Sequence, residues 1–359
     1  MASKRAKRQV KKVAKEVVKK YPVVAIVLAV VILALAIGGY FIYRKLSEKP
    51  TVGDLSFHFM TLGNSSPGDS IYVKAGNVDI LIDAGSTTGS VPTIQNYVDQ
   101  YCKDGVLEYV IVTHADEDHI AGFAASVGIF ELYECQTIID FPLTDKDTDA
   151  YNDYIAKRDK EVQNGAVRYS ALECYNQTNG AKREYQLAES ISFEVLYNTY
   201  YEKSHADENN YSVCVMFHHG SKNFLFTGDL EESGEKELVK NNTLGKVELF
   251  KAGHHGSATS SNTDLLDVID PEICVVSCVA GDNKYNFPRQ DFIDRIAICT
   301  TKVYVTMQKT TDGYSDLNGN VIVSSGNDGV KVDCSADSKA LKDTEWFRDN
   351  RQMPLAWNN

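Results

Sequence analysis

The sequence predicts an α/β fold, an αββα sandwich of two face-to-face sheets with helices outside, preceded by a single N-terminal transmembrane helix. Two observations predict the sandwich. Strand-like runs with alternating apolar residues lead into βα-like units, and this order occurs twice along the chain. The transmembrane helix is predicted by the uncharged apolar run at residues 21–43, because a helix of this length crosses a hydrocarbon core of about 30 Å.

The basic residues at the N-terminus set the predicted topology. Nine Lys and Arg precede the apolar run, which predicts a cytoplasmic tail at residues 1–21, a membrane helix at 22–43 and a linker at 44–51. The rest of the chain is then extracytoplasmic, as in a single-pass protein of a bacterial cell membrane. A buried core helix is the alternative, but so uniform an apolar stretch is rare inside a soluble domain.

Charge is distributed unevenly along the chain. From residue 44 onward there are 28 Lys and Arg against 48 Asp and Glu, a net charge of 28 − 48 = −20. Such a surface repels nucleic acid and anionic lipid on average. Any anionic substrate must therefore be held by local groups or by bound cations.

The predicted elements fall into two halves. The first contains the strands LSFHFMTLG, SIYVKAG, VDILIDAG and LEYVIVT, followed by a polar, Tyr-rich insertion at 143–182. The second contains ISFEVLYNT, a hairpin from YSVCVMF to NFLFTGD, and KVELFKAG. Together they predict one domain over 52–335, and the remaining residues, 336–359, are predicted to form a polar tail.

The eight cysteines do not form a recognisable metal or redox motif. No C-x-x-C occurs, which argues against a zinc ribbon or a thioredoxin-like site. Cys135, Cys214 and Cys274 lie in apolar strand-like runs, where a buried free thiol is favoured. An extracytoplasmic location leaves disulfides open for the others.

The segment THADEDHIAG, residues 113–122, carries the strongest chemical signal. Its His114, Asp116, Asp118 and His119 lie where a buried strand ends and a helix begins. Imidazoles and carboxylates converging there suit two neighbouring divalent cations. A capped helix N-terminus is the alternative, but LIDAG, FTGDL and KAGHHGS also place Asp or His at strand ends, where loops assemble sites.

These segments resemble the metallo-β-lactamase superfamily, and within it the metallo-β-lactamase-like domain of ComEC-type DNA-uptake proteins and their stand-alone relatives. The resemblance rests on six segments that recur in order: GDSIYV, ILIDAG, THADEDHIAG, NNYSVCV, FLFTGDLE and KAGHHGSATS. It covers about residues 52–333 and implies the metallo-β-lactamase fold.

The resemblance also implies roles for particular residues. The implied metal ligands are His114, Asp116, Asp118, His119, Asp229 and His255. Asp118 and His254 are the catalytic candidates. Asp83 and Ser257 are expected to orient the ligand residues without binding metal themselves. The pair His254/His255 leaves open which histidine binds metal, with His255 favoured. HHGS also occurs at residues 218–221, where an exposed hairpin loop is expected.

Two departures from the superfamily pattern bear on the metal. Asp116 stands where a second histidine is usual, and the separate middle histidine has no clear counterpart near NNYS. A first site with one imidazole and mostly carboxylate oxygen favours harder ions. We therefore expect two divalent metal ions, with Mn²⁺ bound at least as readily as Zn²⁺, although a single occupied site remains open.

The expected function is a membrane-anchored, metal-dependent hydrolase in which a dinuclear site and a metal-bound hydroxide cleave a phosphodiester, as in a ComEC-like nuclease. The expected partners are the membrane and a DNA or other phosphodiester substrate; the sequence leaves protein partners unknown. Alternatives are a hydrolase of a small phosphoester or cell-wall phosphodiester, and a catalytically silent, metal-stabilised binding domain. The β-lactamase activity is disfavoured because the nitrogen-rich first site is missing.

Overall fold

A computed structural model describes residues 55–282 and 284–358, which form two eight-stranded mixed sheets. In spatial order the first sheet consists of β16 (Gly329–Cys334), β15 (Val321–Gly326), β1 (Leu55–Phe59), β2 (Ile71–Ala75), β3 (Val78–Ile82), β4 (Val106–Val112), β5 (Glu134–Asp140) and β6 (Val167–Ser170). The second consists of β14 (Gly313–Asp316), β13 (Val303–Thr310), β12 (Ile273–Ala280), β11 (Leu249–Lys251), β10 (Lys222–Phe226), β9 (Val215–His219), β8 (Ile191–Val195) and β7 (Glu184–Ala188).

Helices connect the parallel strands and cover the sheets. Those of the first half are α1 (Val91–Val98), α2 (Glu117–Ala124), α3 (Ile129–Leu132), α4 (Asp149–Asn164) and α5 (Ala171–Asn176). Those of the second half and the C-terminus are α6 (Glu232–Asn241), α7 (Thr263–Ile269), α8 (Gln290–Cys299) and α9 (Glu345–Asn350).

Each sheet combines an antiparallel meander with parallel strands. In the first sheet β1, β2 and β3 are antiparallel, while β3 to β6 run parallel. In the second sheet β8, β9 and β10 are antiparallel, while β10 to β13 run parallel. The predicted α/β class and the repeated meander-then-βα order are therefore confirmed.

The two sheets pack face to face through aromatic side chains. The ring of Phe57 on β1 lies 4.9 to 5.2 Å from the rings of Phe217, Phe224 and Phe226 on the facing sheet. All four side chains are buried, and burying each contributes about 1.5 to 3 kcal/mol. A second apolar cluster joins the other face of the second sheet to α6, α7 and α8.

The sequence predicts a polar tail from residue 336 onward, and the structure differs from this over residues 336–358. Instead of a polar tail, this segment carries α9 and buries Trp346, Phe347 and Trp357 in the second apolar cluster. The indole Nε1 of Trp357 donates a hydrogen bond to the Thr300 carbonyl at 2.8 Å. Large aromatic rings bury about 150 to 250 Å² each, so three of them outweigh the polar composition around them.

The predicted insertion at 143–182 is likewise built into the fold. Its residues Val167–Ser170 form β6, the edge strand that pairs with β5. Within α4, Tyr154 is fully buried and donates a hydrogen bond to Asp140 at 2.9 Å. The segment therefore extends the first sheet and its helical layer.

The predicted N-terminal segments, residues 1–51, lie outside the described residues. Across residues 55–282 and 284–358, no helix combines the length and apolarity that a membrane crossing requires. All eight cysteines lie within these ranges and carry free thiols, with Cys135, Cys214 and Cys274 buried as expected.

Gly122 allows α2 to lie directly against the chain that leaves β3. Its N–H donates to the Ala84 carbonyl at 2.6 Å, and a Cβ at this position would lie 2.3 Å from the same oxygen. Gly122→Ala is therefore expected to displace α2 and lower the free energy of unfolding by about 1 to 3 kcal/mol. Gly326→Ala is the matched control, because a Cβ there meets nothing within 4 Å. Equal urea midpoints for the two variants would contradict this account.

Candidate metal centre

Predicted site residues that follow the carboxyl ends of four strands, two from each sheet, lie close together. Asp83 follows β3, His114 follows β4, Asp229 follows β10 and His255 follows β11. His119 comes from the first turn of α2, and its Nδ1 lies 2.8 Å from Asp83 Oδ2. The strand-end motifs, far apart in sequence, thus meet at the junction of the two sheets.

Three buried imidazoles lie next to one another at this junction of the two sheets. His114, His119 and His255 are at most 1% exposed. The ring centroids of His114 and His119 lie 4.2 Å apart, and those of His119 and His255 lie 5.4 Å apart. The Nε2 atoms of all three are buried and lack a hydrogen bond of acceptable geometry among the described residues.

Carboxylate oxygens lie close to these nitrogens. Asp229 Oδ2 is 3.2 Å from Nε2 of both His119 and His255. Asp118 Oδ2 is 3.3 Å from His255 Nε2, and Asp116 Oδ2 is 3.6 Å from His114 Nε2. We call His114, Asp116, Asp118, His119, Asp229 and His255 the histidine–aspartate cluster. All six predicted ligands are therefore brought together.

This arrangement fits divalent metal ions. Two overlapping groups, His114 with His119 and Asp229, and Asp118 with His119 and His255, each hold their ligand atoms within 4.8 Å of one another. Buried imidazole nitrogens without hydrogen bonds are costly unless they bind something. Neutral imidazole and carboxylate are the ligands that Zn²⁺ and Mn²⁺ accept.

Asp83 holds the ligand loop from behind. Its Oδ1 accepts a hydrogen bond from the Thr113 backbone N–H at 2.8 Å, and its Oδ2 accepts one from the Thr113 hydroxyl at 2.7 Å. With Oδ2 also 2.8 Å from His119 Nδ1, the carboxylate fixes the ring so that Nε2 faces the cluster. A hydrogen-bonding partner behind a ligand imidazole is usual at metal sites.

Backbone conformation is unusual at the same positions. Asp83, His254 and His255 have φ values of 56°, 46° and 54°. The left-handed region is unfavourable for residues other than glycine and recurs at functional sites. Here it turns the side chains after β3 and β11 toward the cluster.

A buried ion pair stands behind Asp229, and the sequence analysis did not identify it. Lys251, at the end of β11, is 1% exposed and pairs with Asp69 Oδ2. Its Nζ also lies 3.2 Å from Asp229 Oδ1 and donates to the Gly228 carbonyl at 3.0 Å. Lys251 thereby holds Asp229 Oδ1 and leaves Oδ2 facing the imidazoles.

The pKa values reflect this concentration of charge. Burial lowers the pKa of His255, but the Asp229 and Asp69 carboxylates outweigh it and raise that pKa to about 10. Burial likewise lowers the pKa of His119, whereas Asp229 and Asp83 bring it well above its ordinary value. The carboxylates therefore favour the protonated forms of His119 and His255 when no metal is bound, and metal binding displaces such protons.

His254 lies beside the cluster and is held by a different carboxylate. Its side chain is 22% exposed, and its Nδ1 lies 3.2 Å from Glu231 Oε1, which also accepts a 2.8 Å hydrogen bond from Thr259. Burial raises the pKa of Glu231, but the hydrogen bond with His254 contributes to lowering it to about 2. Glu231 therefore engages the Nδ1 side of the His254 ring.

The structure also gives the contacts of the remaining residues that the sequence singled out. Ser257 Oγ hydrogen-bonds to Thr259 Oγ1 at 3.0 Å and orders the loop after His255, rather than contacting a ligand imidazole. The first HHGS sequence forms the predicted β9–β10 turn, but His219 is buried there and contacts Ser325 Oγ at 2.9 Å. Asp116 also forms an ion pair with Lys146, another contact that the sequence did not indicate.

Comparisons with known proteins agree with this geometry. Residues 63–131 and 203–280 match the family model described as the metallo-beta-lactamase superfamily. Over these ranges the chain is similar to the metallo-beta-lactamase superfamily. All six residues of the histidine–aspartate cluster fall within the matched ranges.

The curated relatives are ComEC-type competence proteins, as the sequence indicated. "Competence protein ComA" of Neisseria gonorrhoeae is 26% identical over 282 residues, which are 76% of this chain and 33% of that protein. "ComE operon protein 3" of Bacillus subtilis is 29% identical over 113 residues, which are 32% of this chain and 14% of that protein. The chain thus spans about a third or less of the length of these relatives.

A solved structure gives a weaker match. The metallo-beta-lactamase fold protein YhfI of Bacillus subtilis aligns with a TM-score of 0.38 at 11% identity, over 72% of this chain and 99% of that one.

Proposed function

We propose that this chain is a membrane-anchored, metal-dependent hydrolase that cleaves phosphodiester bonds, a nuclease of the ComEC-like type. The observation that carries the proposal is the set of three buried imidazole Nε2 atoms, without hydrogen bonds of their own, around carboxylate oxygens of Asp229 and Asp118. The metallo-beta-lactamase superfamily consists mostly of metal-dependent hydrolases, and such a ligand set suits two cations.

The local charge supports an anionic substrate. Asp116, Asp118 and Asp229 of the histidine–aspartate cluster, with Asp69 and Asp83 behind it, carry five negative charges. Lys146 and Lys251 offset two of them, so the local net charge is 2 − 5 = −3 with neutral imidazoles. Two divalent cations would change this to +1, which attracts a phosphodiester despite the acidic surface. Divalent cations also supply Lewis acidity and activate water.

The protein's own groups have distinct tasks in this proposal. Asp83 keeps Nε2 of His119 directed into the site. Lys251 keeps one oxygen of Asp229 directed there as well. His254, whose ring centroid lies 6.0 Å from that of His255, would give a proton to the leaving oxygen through Nε2.

The relatives support the substrate class and the location. One of them is named a competence protein, and the resemblance to ComEC-type DNA-uptake proteins points to DNA as the phosphodiester. We place residues 22–43 in the cell membrane as a single span, with the N-terminus cytoplasmic and the hydrolase domain outside. A small phosphoester or a cell-wall phosphodiester is the second candidate, because the surface from residue 44 onward is acidic.

The ligand set also supports a preference among metal ions, for Mn²⁺ at least as much as for Zn²⁺. The resemblance assigns His114, Asp116 and a shared Asp229 to one position and Asp118, His119 and His255 to the other, and His119 also lies within reach of His114 and Asp229. Carboxylate-rich coordination suits Mn²⁺. We therefore propose that Mn²⁺ supports activity at least as well as Zn²⁺. Activity with Zn²⁺ alone, unchanged by Mn²⁺, would contradict this preference.

The test is cleavage of end-labelled single- and double-stranded DNA, and of bis-p-nitrophenyl phosphate, by the full chain with Mn²⁺ or Zn²⁺. We expect metal-dependent cleavage that is lost in Asp118→Ala and kept in Asp264→Asn, whose side chain is 59% exposed on α7. Cleavage of the small diester but not of DNA would favour the second candidate. No turnover of any phosphoester, with Asp118→Ala only lowering thermal stability, would favour a silent binding domain.

Substitutions of the two adjacent histidines are expected to have different effects. His255→Ala should lose metal affinity, because His255 is 1% exposed with Nε2 inside the cluster. His254→Ala should keep its metal content but lose about 10²- to 10⁴-fold in kcat, the usual contribution of a general acid. Metal analysis together with kcat separates the two. Equal metal loss in both variants would show that the two roles are assigned wrongly.

A further inference from the structure

A cleft of about 400 Å³ opens beside the histidine–aspartate cluster and is lined by cationic and hydroxyl side chains. Its polar lining comes from three segments: Ser65 and Ser66 before β2, Asp282 and Lys284 after β12, and Lys309, Thr310 and Thr311 at the end of β13. Both lysines are exposed. No step of the proposed hydrolysis uses any of these residues.

The cleft adjoins the cluster through backbone that the two share. Pro67 lines the cleft, and the next residue, Gly68, packs so closely on Asp118 that a Cβ would lie 2.7 Å from the Asp118 carbonyl oxygen. On the opposite wall Val279 lies two residues after Ser277, whose carbonyl is 2.9 Å from His255 Nδ1. The cleft and the cluster are therefore built on neighbouring backbone segments.

Lys284 is electrostatically linked to the cluster. Its interaction with Tyr285 comes first in raising its pKa, and the carboxylate of Asp118 raises it further. The one carboxylate among the described lining residues, Asp282, is committed to backbone amides: it accepts hydrogen bonds from Lys284 N at 2.8 Å and Phe287 N at 3.0 Å. The described lining of the cleft thus has two lysines and one carboxylate, and that carboxylate is hydrogen-bonded to backbone amides.

An aromatic side chain stands next to Lys284. Tyr285 is 39% exposed and stacks on Phe287, with ring centroids 5.1 Å apart and an interplanar angle of 11°. Phe287 in turn contacts the rings of His254 and His255 at 5.9 and 5.8 Å. The Lys284 ammonium lies 4.5 Å from the Tyr285 centroid, so a charge for phosphate and a ring for a base occur together.

From this placement we infer that the cleft is a subsite for the nucleic-acid strand that flanks the scissile bond, with Lys284 and Lys309 binding its phosphates and Tyr285 stacking on a base. The inference rests on the proposed function and names its substrate. Lysines along a groove with an aromatic platform are the usual means of holding a single strand without reading its sequence. A polyol phosphate has no base for Tyr285, so the ring favours a nucleic acid.

The test measures binding of a short, fluorescein-labelled single-stranded oligonucleotide with phosphorothioate linkages, which resist cleavage, to the full chain with Mn²⁺ present. We expect the double variant Lys284→Ala/Lys309→Ala to bind at least about tenfold more weakly. The slope of log K against log salt should fall by roughly 1.4, since each phosphate contact to a single strand contributes about 0.7. The control Lys240→Ala/Lys331→Ala removes two exposed lysines from α6 and β16 and should leave both quantities unchanged.

A second pair of measurements addresses the base. Tyr285→Leu should weaken binding about tenfold, the order of one base stack, and an abasic oligonucleotide should bind wild type more weakly than the normal one. Equal binding of the two oligonucleotides would overturn the nucleobase assignment. Equal affinity of wild type and the Lys284/Lys309 variant, or the same loss in the control, would overturn the subsite.

The outcome does not depend on catalysis. A wild type that hydrolyses bis-p-nitrophenyl phosphate but does not bind the oligonucleotide would overturn the subsite and leave the hydrolase standing. Binding that depends on both lysines, in a chain that hydrolyses no phosphoester, would support the strand subsite while the proposed activity fails.

Discussion

Asp229→Asn is expected to abolish metal-dependent hydrolysis while leaving the fold intact. Asp229 Oδ2 lies 3.2 Å from Nε2 of both His119 and His255, so it faces both candidate metal positions. An amide keeps the size of the side chain but loses its charge. Since losing only an outer partner of a metal ligand costs about 10- to 100-fold, we expect at least about a 100-fold loss in kcat/KM.

Turnover of bis-p-nitrophenyl phosphate across a Mn²⁺ titration measures this effect. The control is Asp264→Asn, the same chemical change on the exposed surface of α7. Thermal melts with and without Mn²⁺ should show a metal-induced shift in wild type and control that is much smaller in Asp229→Asn. Activity of Asp229→Asn within a few-fold of wild type would show that Asp229 is not a ligand.

Lys251→Met is expected to give the largest loss of stability. Lys251 is 1% exposed and pairs with Asp69 Oδ2 and Asp229 Oδ1. Burial lowers its pKa, but Asp69 and Asp229 outweigh this and raise it above its ordinary value. Methionine has a similar length and no charge, so two buried carboxylates lose their counter-ion. Removing one partner of a buried pair costs about 3 to 5 kcal/mol.

Urea denaturation of the metal-free protein measures this cost. The double variant Lys251→Met/Asp69→Asn removes both members of the pair, so it should be less destabilised than the sum of the single changes. Lys240→Met, on the exposed face of α6, should change stability by no more than about 0.5 kcal/mol. A loss below about 1 kcal/mol for Lys251→Met would refute a counter-ion role.

The parts of the site visible in the sequence are those encoded by short local patterns. His114, Asp116, Asp118 and His119 lie within one segment of ten residues. Asp229 and the histidine pair each follow a strand-like run that ends in glycine. Strand ends are where loops assemble sites, so local pattern and the family resemblance were sufficient to select them.

The parts that were missed depend on contacts between distant segments. Asp69 and Lys251 are 182 residues apart (251 − 69) and meet only because the strand-end loops of both sheets converge. The signal available was a lysine at the end of the strand-like run VELF, since a buried lysine requires an acidic partner. Which carboxylate it would meet could not be read without the fold.

The C-terminal segment shows a different limit. Its charged residues predicted a solvated tail, yet Trp346, Phe347 and Trp357 anchor it on the second sheet. Composition averages over residues, whereas a few large side chains determine whether a segment packs. The same holds for Val167–Ser170, whose pairing with β5 depends on a neighbouring strand rather than on its own sequence.

The measurement that tests the central claim most directly is the number of divalent ions bound by the metal-free full chain. Isothermal titration with Mn²⁺ and with Zn²⁺, checked by elemental analysis, should give two ions per wild-type chain. Asp118→Ala should bind fewer, and Asp264→Asn should match wild type. Wild type that binds neither ion, or Asp118→Ala that binds both as tightly as wild type does, would contradict the assignment of the histidine–aspartate cluster as a metal centre.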